Sequence, residues 1–356
     1  MFPLLSKESN VFIVDDLTTD IEHLISNFPE EKVFLLSDKE SYKHCFHKIE
    51  KVKGLSPERT VIIADGDNNK GLAAVEEVWK LLSDGGADRK SLLLTLGGGM
   101  PCDLGGFAAS TFKRGIKFIN IPTTLLSQVD ASIGGKTGIN FAGLKNEIGV
   151  FNHATAVLID TSFFETLDKP NIISGFAEMI KHAFIYSAEE WEKLKSFDIK
   201  NPDLDKLKEL VADSIRIKDY FVQNDPTEHH IRKALNFGHT YGHAFESMAL
   251  YEDRPLLHGY AVAFGMICEL YLSHTRLGFP MPLVLELAER LEDIYGHFDF
   301  STDKYDELYR LMTHDKKNEG NKINFTLLEE IGKIQINCQA SQKEVYDALY
   351  FYNNFK

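Results

Sequence analysis

The run Asn236-Phe237-Gly238-His239-Thr240-Tyr241-Gly242-His243 sets two histidines four residues apart. On a helix that spacing puts both imidazoles on one face, an arrangement that two histidines use to bind one zinc ion. The glutamate that follows the first histidine in zinc peptidases is absent, so peptide hydrolysis is not indicated. His258 stands in LLHGYAVAFG, at the head of a further helical pattern. Glu178 stands in SGFAEMIKH, three residues before Lys181 and on the same helical side. One carboxylate and two imidazoles with an open position make a catalytic divalent site, for which zinc is the natural cation. Spacing alone ranks His239 and His243 first and leaves the third ligand open. His44, His47, His229 and His230 read as surface histidines.

A second chemistry is written around residue 97. The aliphatic run Leu92–Leu96 meets Gly97-Gly98-Gly99 and then a helical stretch. Glycines between a strand and a helix let backbone N–H groups approach a pyrophosphate closely. A tight turn needing positive φ is the alternative. No GxGxxG or Walker sequence is present. Residues 121–149, IPTTLLSQVDASIGGKTGINFAGLKNEIG, then gather Thr123, Thr124, Asp130, Ser132, Lys136, Thr137, Lys145 and Asn146 among five glycines. Hydroxyls, lysines and permissive backbone suit an oxygen-rich anionic small molecule. Lys181, Lys218, Arg232 and the pair Lys316-Lys317 add local positive charge beside the motifs.

That charge stands out because the chain is acidic, with 39 basic against 53 acidic residues and a net charge of −14. Such a surface argues against nucleic-acid binding, which needs clustered Lys and Arg. It leaves a small anionic substrate open. Charged residues at 26% and hydrophobic ones at 44% exclude a disordered chain.

At 356 residues two domains are expected. Buried strands are predicted at Val11–Val14, Val33–Leu36, Val61–Ala64, Leu92–Leu96, Phe118–Ile121 and Val157–Ile159, with helical patterns such as Leu72–Leu82 between them. This alternation implies a parallel sheet in an α/β Rossmann-like domain over residues 1–168. Long amphipathic segments follow at Ile172–Ile185, Leu204–Val222, Gly238–Leu250, Gly259–His274, Leu283–Tyr295 and Tyr305–Met312, with a hairpin at Ile323–Leu328 and Lys333–Ile336. A mainly helical domain over 169–356 is therefore expected, with the active site in the cleft between the two. Cys45, Cys102, Cys268 and Cys338 are scattered, as reduced thiols would be, and no signal peptide or membrane span is read, so a cytoplasmic protein is expected.

These stretches together resemble the 3-dehydroquinate synthase family of sugar phosphate cyclases. The resemblance rests on GGGxxxDLxGFxASTFKRG at 97–115, IPTTLLxxVDASIGGKTG at 121–138, LKNxIG at 144–149, AVLIDT at 156–161, SGxAEMxKH at 174–182, LNFGHTxGHAxES at 235–247, LHGxAVAxGM at 257–266 and DKKxxGxxxxFxLLxxIG at 315–332. It implies a dehydroquinate synthase-like fold and conversion of the sugar phosphate acid DAHP to 3-dehydroquinate and phosphate. The route is transient oxidation by NAD, β-elimination of phosphate, reduction and intramolecular aldol closure.

The resemblance also implies roles for individual residues. Glu178, His239 and His258 would hold zinc, with cobalt as an alternative, while His243 would line the pocket beside the substrate instead of binding metal. NAD would meet Asp38, Asp67, Lys70, Gly98, Gly99, Asp103, Thr123, Thr124, Asp130, Lys136, Lys145, Phe163, Thr166 and Leu167. Substrate would meet Asp130, Lys136, Asn146, Lys181, Lys218, Arg232, Asn236, His243 and the Lys316-Lys317 region. Arg114 would reach a neighbouring subunit's phosphate pocket, implying a homodimer. Departures from the family pattern include Asp67 for a glutamate, Glu40 after Asp38, Met100-Pro101-Cys102 after the glycines, and Tyr260 and Asn171 for glutamates.

Overall fold

Runs such as VFLLSD and LLLTLG carry too few polar side chains to face water, and both lie in a sheet covered on its two faces. The computed structural model describes residues 2–3, 10–142, 144–313 and 323–355. It divides into two compact units, Met1–Asp168 and Lys169–Lys356.

The first unit is built on strands β1 (Phe2–Pro3), β2 (Val11–Ile13), β3 (Val33–Asp38), β4 (Thr60–Ile63), β5 (Leu92–Gly97) and β6 (Lys117–Pro122), then a hairpin of β7 (Lys136–Phe141) and β8 (Leu144–Phe151), and β9 (Ala156–Ile159). Seven of them form one sheet in the order β1-β2-β9-β6-β5-β3-β4. All its pairings are parallel except β1 with β2. Helices α1 (Leu17–Ile25), α2 (Lys39–Cys45), α3 (Leu72–Asp84) and α4 (Gly99–Thr111) are the crossovers. Asp16 and Asp38 start α1 and α2 as N-caps, accepting the amides of Thr19 and Ser41. From β3 the chain moves outward to β4, and from β5 it moves the other way to β6. The carboxyl ends of β3 and β5 thus flank a topological switch point, where open α/β sheets bind ligands.

The polar block at 121–149 includes the β7–β8 hairpin, which stands outside the large sheet. Every described residue of β8 is exposed. Its apolar residues lack the buried-strand pattern, which is why no strand is predictable there.

The second unit contains α5 (Lys169–Tyr186), α6 (Ala188–Lys195), α7 (Leu204–Asn224), α8 (His239–Tyr251), α9 (His258–Leu277), α10 (Met281–Tyr295), α11 (Tyr305–Thr313), the hairpin β10 (Phe325–Glu330) with β11 (Lys333–Cys338), and α12 (Gln342–Asn354). Ser187 and Asp203 cap α6 and α7, and Ser341 with Glu344 forms a capping box on α12. Helices α5 and α9 are the most enclosed, buried nearly all round in their central turns. They meet at backbone distance, since a Cβ on Gly259 would lie 1.8 Å from the Ser174 carbonyl oxygen. Gly259→Ala is therefore expected to push α9 off α5 and to destabilise the protein by about 1–3 kcal/mol. An unchanged melting temperature would show that the contact relaxes freely.

Candidate functional site

Glu178 sits in the middle of α5 and is 0% exposed. His239 is the first residue of α8 and His258 the first of α9. Each offers one ligand atom, and the three atoms lie within 4.8 Å of one another. The Nε2 atoms of His239 and His258 are both 3.6 Å from Glu178 Oε1. Each ring is turned by its other nitrogen. Nδ1 of His239 is 3.1 Å from the Phe237 carbonyl oxygen, to which it donates, and Nδ1 of His258 is 3.4 Å from Glu246 Oε2. These bonds direct both Nε2 atoms at the same carboxylate, the orientation that outer partners impose on metal-binding histidines.

The donor set, two imidazoles and one carboxylate, fits a divalent cation of the zinc type. Burial pulls the His258 pKa down, but hydrogen bonds to Glu178 and Glu246 and their charges overcome it and raise the imidazole to about 10. Cation binding at these atoms therefore displaces a proton. Lys181, one turn after Glu178 and 1% exposed, pairs with Glu178 Oε2.

His243 stands outside this ligand group, with its ring centroid 5.4 Å from that of His239 and 6.1 Å from that of His258. The i, i+4 spacing correctly puts the two rings on one side of α8 but does not select the ligands. The other two donors come from α5 and α9, which periodicity along α8 cannot reach. Glu246, not singled out from the sequence, lies on that same face of α8, three residues beyond His243.

Lys218 on α7 and Arg232 in the turn Ile231–Asn236 are buried cations, and Arg232 donates to the Pro226 carbonyl at 2.6 Å. Asn236 donates to Glu228 Oε1 at 2.9 Å, and Glu228 holds a left-handed φ of 62°. Asp225 folds this loop by accepting the backbone N–H groups of His229, His230 and Arg232 at 3.0, 2.7 and 3.1 Å. The Asp225-Pro226 start of the loop is a readable turn signal for Asp225. Lys316 and Lys317 lie outside the described residues. His44, His47, His229 and His230 are exposed, as expected.

In the first unit, Asp38 ends β3 and Gly97 ends β5, so they flank the switch point. Gly98 is the N-cap of α4 and Gly99 its first residue, and no side chain caps this terminus. None of the three glycines has a positive φ, so the tight-turn alternative is set aside. A Cβ on Gly97 would lie 2.6 Å from Pro101 Cγ and 3.0 Å from Asp38 Oδ2, so close approach is what demands glycine. Burial raises the Asp38 carboxyl against the hydrogen bonds from Ser41. Thr123 and Thr124 follow β6, with the Thr123 amide donating to Gly97 O at 3.0 Å. Asp130 lies in the turn Ser127–Ala131.

Lys70, 3% exposed, binds Asp103 and the side-chain oxygen of Asn146. Burial pushes the Asp103 carboxyl up, and Lys70 opposes it. Lys145 is 3.2 Å from Asp67 Oδ2, and exposed Lys136 opens β7. Phe163, fully buried, Thr166 and Leu167 lie in and just after the turn Thr161–Glu165. Arg114 is exposed and holds a left-handed φ of 68° in the turn after α4.

The 3-dehydroquinate synthase N-terminal family model matches residues 60–174, and the C-terminal family model matches residues 175–318. The chain belongs to the 3-dehydroquinate synthase family. A 3-dehydroquinate synthase of Parabacteroides distasonis is 47% identical over 97% of this chain and 98% of that protein. One from Dictyoglomus turgidum is 43% identical over 82% of each. Among solved structures, the 2-epi-5-epi-valiolone synthase ValA of Streptomyces hygroscopicus, with NAD+ and Zn2+ bound, covers 100% of this chain and 99% of its own at a TM-score of 0.85 and 24% identity. An iron-containing alcohol dehydrogenase matches 100% of both chains at a TM-score of 0.69 and 12% identity. At such identities the shared feature is the fold. No helix among the described residues is long and apolar enough to cross a membrane.

Burial would raise the Asp225 carboxyl, but its three backbone hydrogen bonds hold it below the ordinary range. A depressed carboxyl contributes stability above its unfolded pKa and loses it as pH falls through the folded one. Asp225→Asn should cost about 1–3 kcal/mol in urea unfolding at neutral pH. The deficit should shrink under acid, and an equal deficit at every pH would refute the assignment.

Proposed function

We propose that this chain is a carbon–oxygen lyase that converts DAHP to 3-dehydroquinate and phosphate, a step of the shikimate pathway toward aromatic amino acids. The observation that carries this reading is 47% identity to a protein of that name across nearly the whole of both chains. The Glu178, His239 and His258 cluster supports it independently.

Residues 169–356 would hold the cation through Glu178, His239 and His258. Residues 1–168 would hold NAD at the switch point, with its pyrophosphate on the uncapped start of α4 at Gly98 and Gly99. Asp38, Asp67, Lys70, Asp103, Thr123, Thr124, Asp130, Lys136, Lys145, Phe163, Thr166 and Leu167 would complete the nucleotide contacts. When bound, NAD supplies a hydride acceptor regenerated within the turnover, and zinc or cobalt supplies Lewis acidity.

Once the substrate alcohol is a ketone, the neighbouring C–H is acidic; the substrate's own phosphate group takes that proton as base and leaves by β-elimination. Lys136, Lys145, Lys218 and Arg232 neutralise and orient that phosphate. Asn236, Lys181, Asn146 and the Lys316-Lys317 pair hold the hydroxyls and carboxylate. His243, beside the ligand group, relays a proton to the departing phosphate. Ring opening and an aldol closure then complete the product.

We further propose a cytoplasmic homodimer in which Arg114 serves the neighbouring subunit's phosphate site. Arg114 is exposed on a left-handed turn, and Cys45, Cys102 and Cys268 are free and buried. Nucleic acid is not an expected partner of so acidic a chain, and no helix among the described residues is long and apolar enough to cross a membrane.

Two measurements test the reading. Phosphate release from DAHP should need only catalytic NAD, with no NADH accumulating. It should stop on chelation, return with zinc, and fall by about 100-fold or more in Glu178→Gln. Release from glucose 6-phosphate instead of DAHP would point to a sister cyclase. Arg114→Ala co-expressed with Glu178→Gln should regain activity, because one subunit's site then has intact ligands and an intact arginine from its neighbour. No regain would place Arg114 in its own subunit's site.

A further inference from the structure

Glu269 belongs to no ligand set, yet it is a carboxylate with 0% exposure in the middle of α9. Its Oε2 accepts the Gly238 amide at 2.8 Å and its Oε1 accepts the Thr240 amide at 3.1 Å. These are the residues on either side of His239. The first amides of a helix have no intrahelical partner and carry its positive dipole end. Gly238, the N-cap of α8, has no side chain with which to satisfy them. Glu269 supplies from another helix the cap that Gly238 cannot, and those amides in turn stabilise its buried charge.

Helix geometry ties this clasp to the metal centre. His258 and Glu269 are 269 − 258 = 11 residues apart on α9. At about 3.6 residues per turn, that is three turns and the same helix face. The helices also approach at backbone distance, because a Cβ on Gly265 would lie 1.9 Å from the Gly238 carbonyl oxygen. Helix α9 thus carries one imidazole directly and grips the backbone around the other. The ring of His239 is set by the same short segment, through its bond to the Phe237 carbonyl.

We propose that Glu269 is a positioning residue of the metal centre: its carboxylate clasps the amides flanking His239 and so fixes the spacing of the two imidazole ligands. This rests on Glu178, His239 and His258 being the cation ligands. A helix cap with no bearing on the metal would affect folding stability alone, and that difference is measurable.

The test uses the full-length protein, stripped with a chelator and reloaded. Zinc affinity is read by competition with a chromophoric chelator, and ligand geometry by the visible absorption of the cobalt(II) form. Glu269→Gln keeps the size but turns an NH2 group toward one of the two amides. It should bind zinc about 10–100-fold more weakly, with altered cobalt bands, while the chelated protein retains its far-UV circular dichroism. Should Glu269→Gln not fold, Glu269→Asp, which keeps the charge one methylene short, is read by the same two measurements. Zinc affinity and cobalt bands matching the wild type, even with a lowered melting temperature, would overturn the proposal. His239→Ala and His258→Ala are run alongside, and undiminished zinc binding in them would overturn the ligand set itself, and this proposal with it.

Discussion

A carboxylate with no access to water governs the second unit. Removing an ionised Glu178 from solvent is tolerable only if positive charge or strong donors meet it inside. Lys181 meets one oxygen, and the Nε2 atoms of His239 and His258 face the other. Each imidazole is the first residue of its helix, where the dipole favours the uncharged ring that a metal requires. At His258 the two glutamates outweigh that preference. The carboxylates that raise the His258 imidazole are also what suits the cluster to a cation.

Bringing three helices to one point demands thin contacts. Larger side chains between α5, α8 and α9 would hold the donors apart. Glycine at 259 and 265 removes that separation and leaves the backbones in contact. The first unit meets an analogous demand differently. Its buried strands end in Asp38 and Gly97 at the switch point, and α4 begins there with its amides uncapped. One unit gathers side-chain donors for a cation, and the other presents backbone donors suited to an anion.

Much of this was legible in the chain. The covered strands β3 and β5 read as aliphatic runs because both faces are buried. The helices of the second unit read from their apolar stripes, usually to within two or three residues. The β7–β8 hairpin did not, since its second strand is exposed throughout and shows no inward face. The short α6 and the terminal α12 also went unread, although the Ser341 and Glu344 capping box was a visible start signal for α12. Within the site, the motifs bring out Glu178, His239, His243 and His258, spacing ranks His239 and His243 first, and family resemblance selects Glu178, His239 and His258 as the ligands. Periodicity describes one helix at a time, whereas the ligand cluster and the Glu269 clasp join separate helices.

The hairpin that bears Lys136, Lys145 and Asn146 shares no strand pairing with the seven-stranded sheet. Its second strand is exposed throughout while β7 packs on α4, and local openings need not involve a whole unit. Its amides can therefore exchange with deuterium sooner than those of β3 and β5.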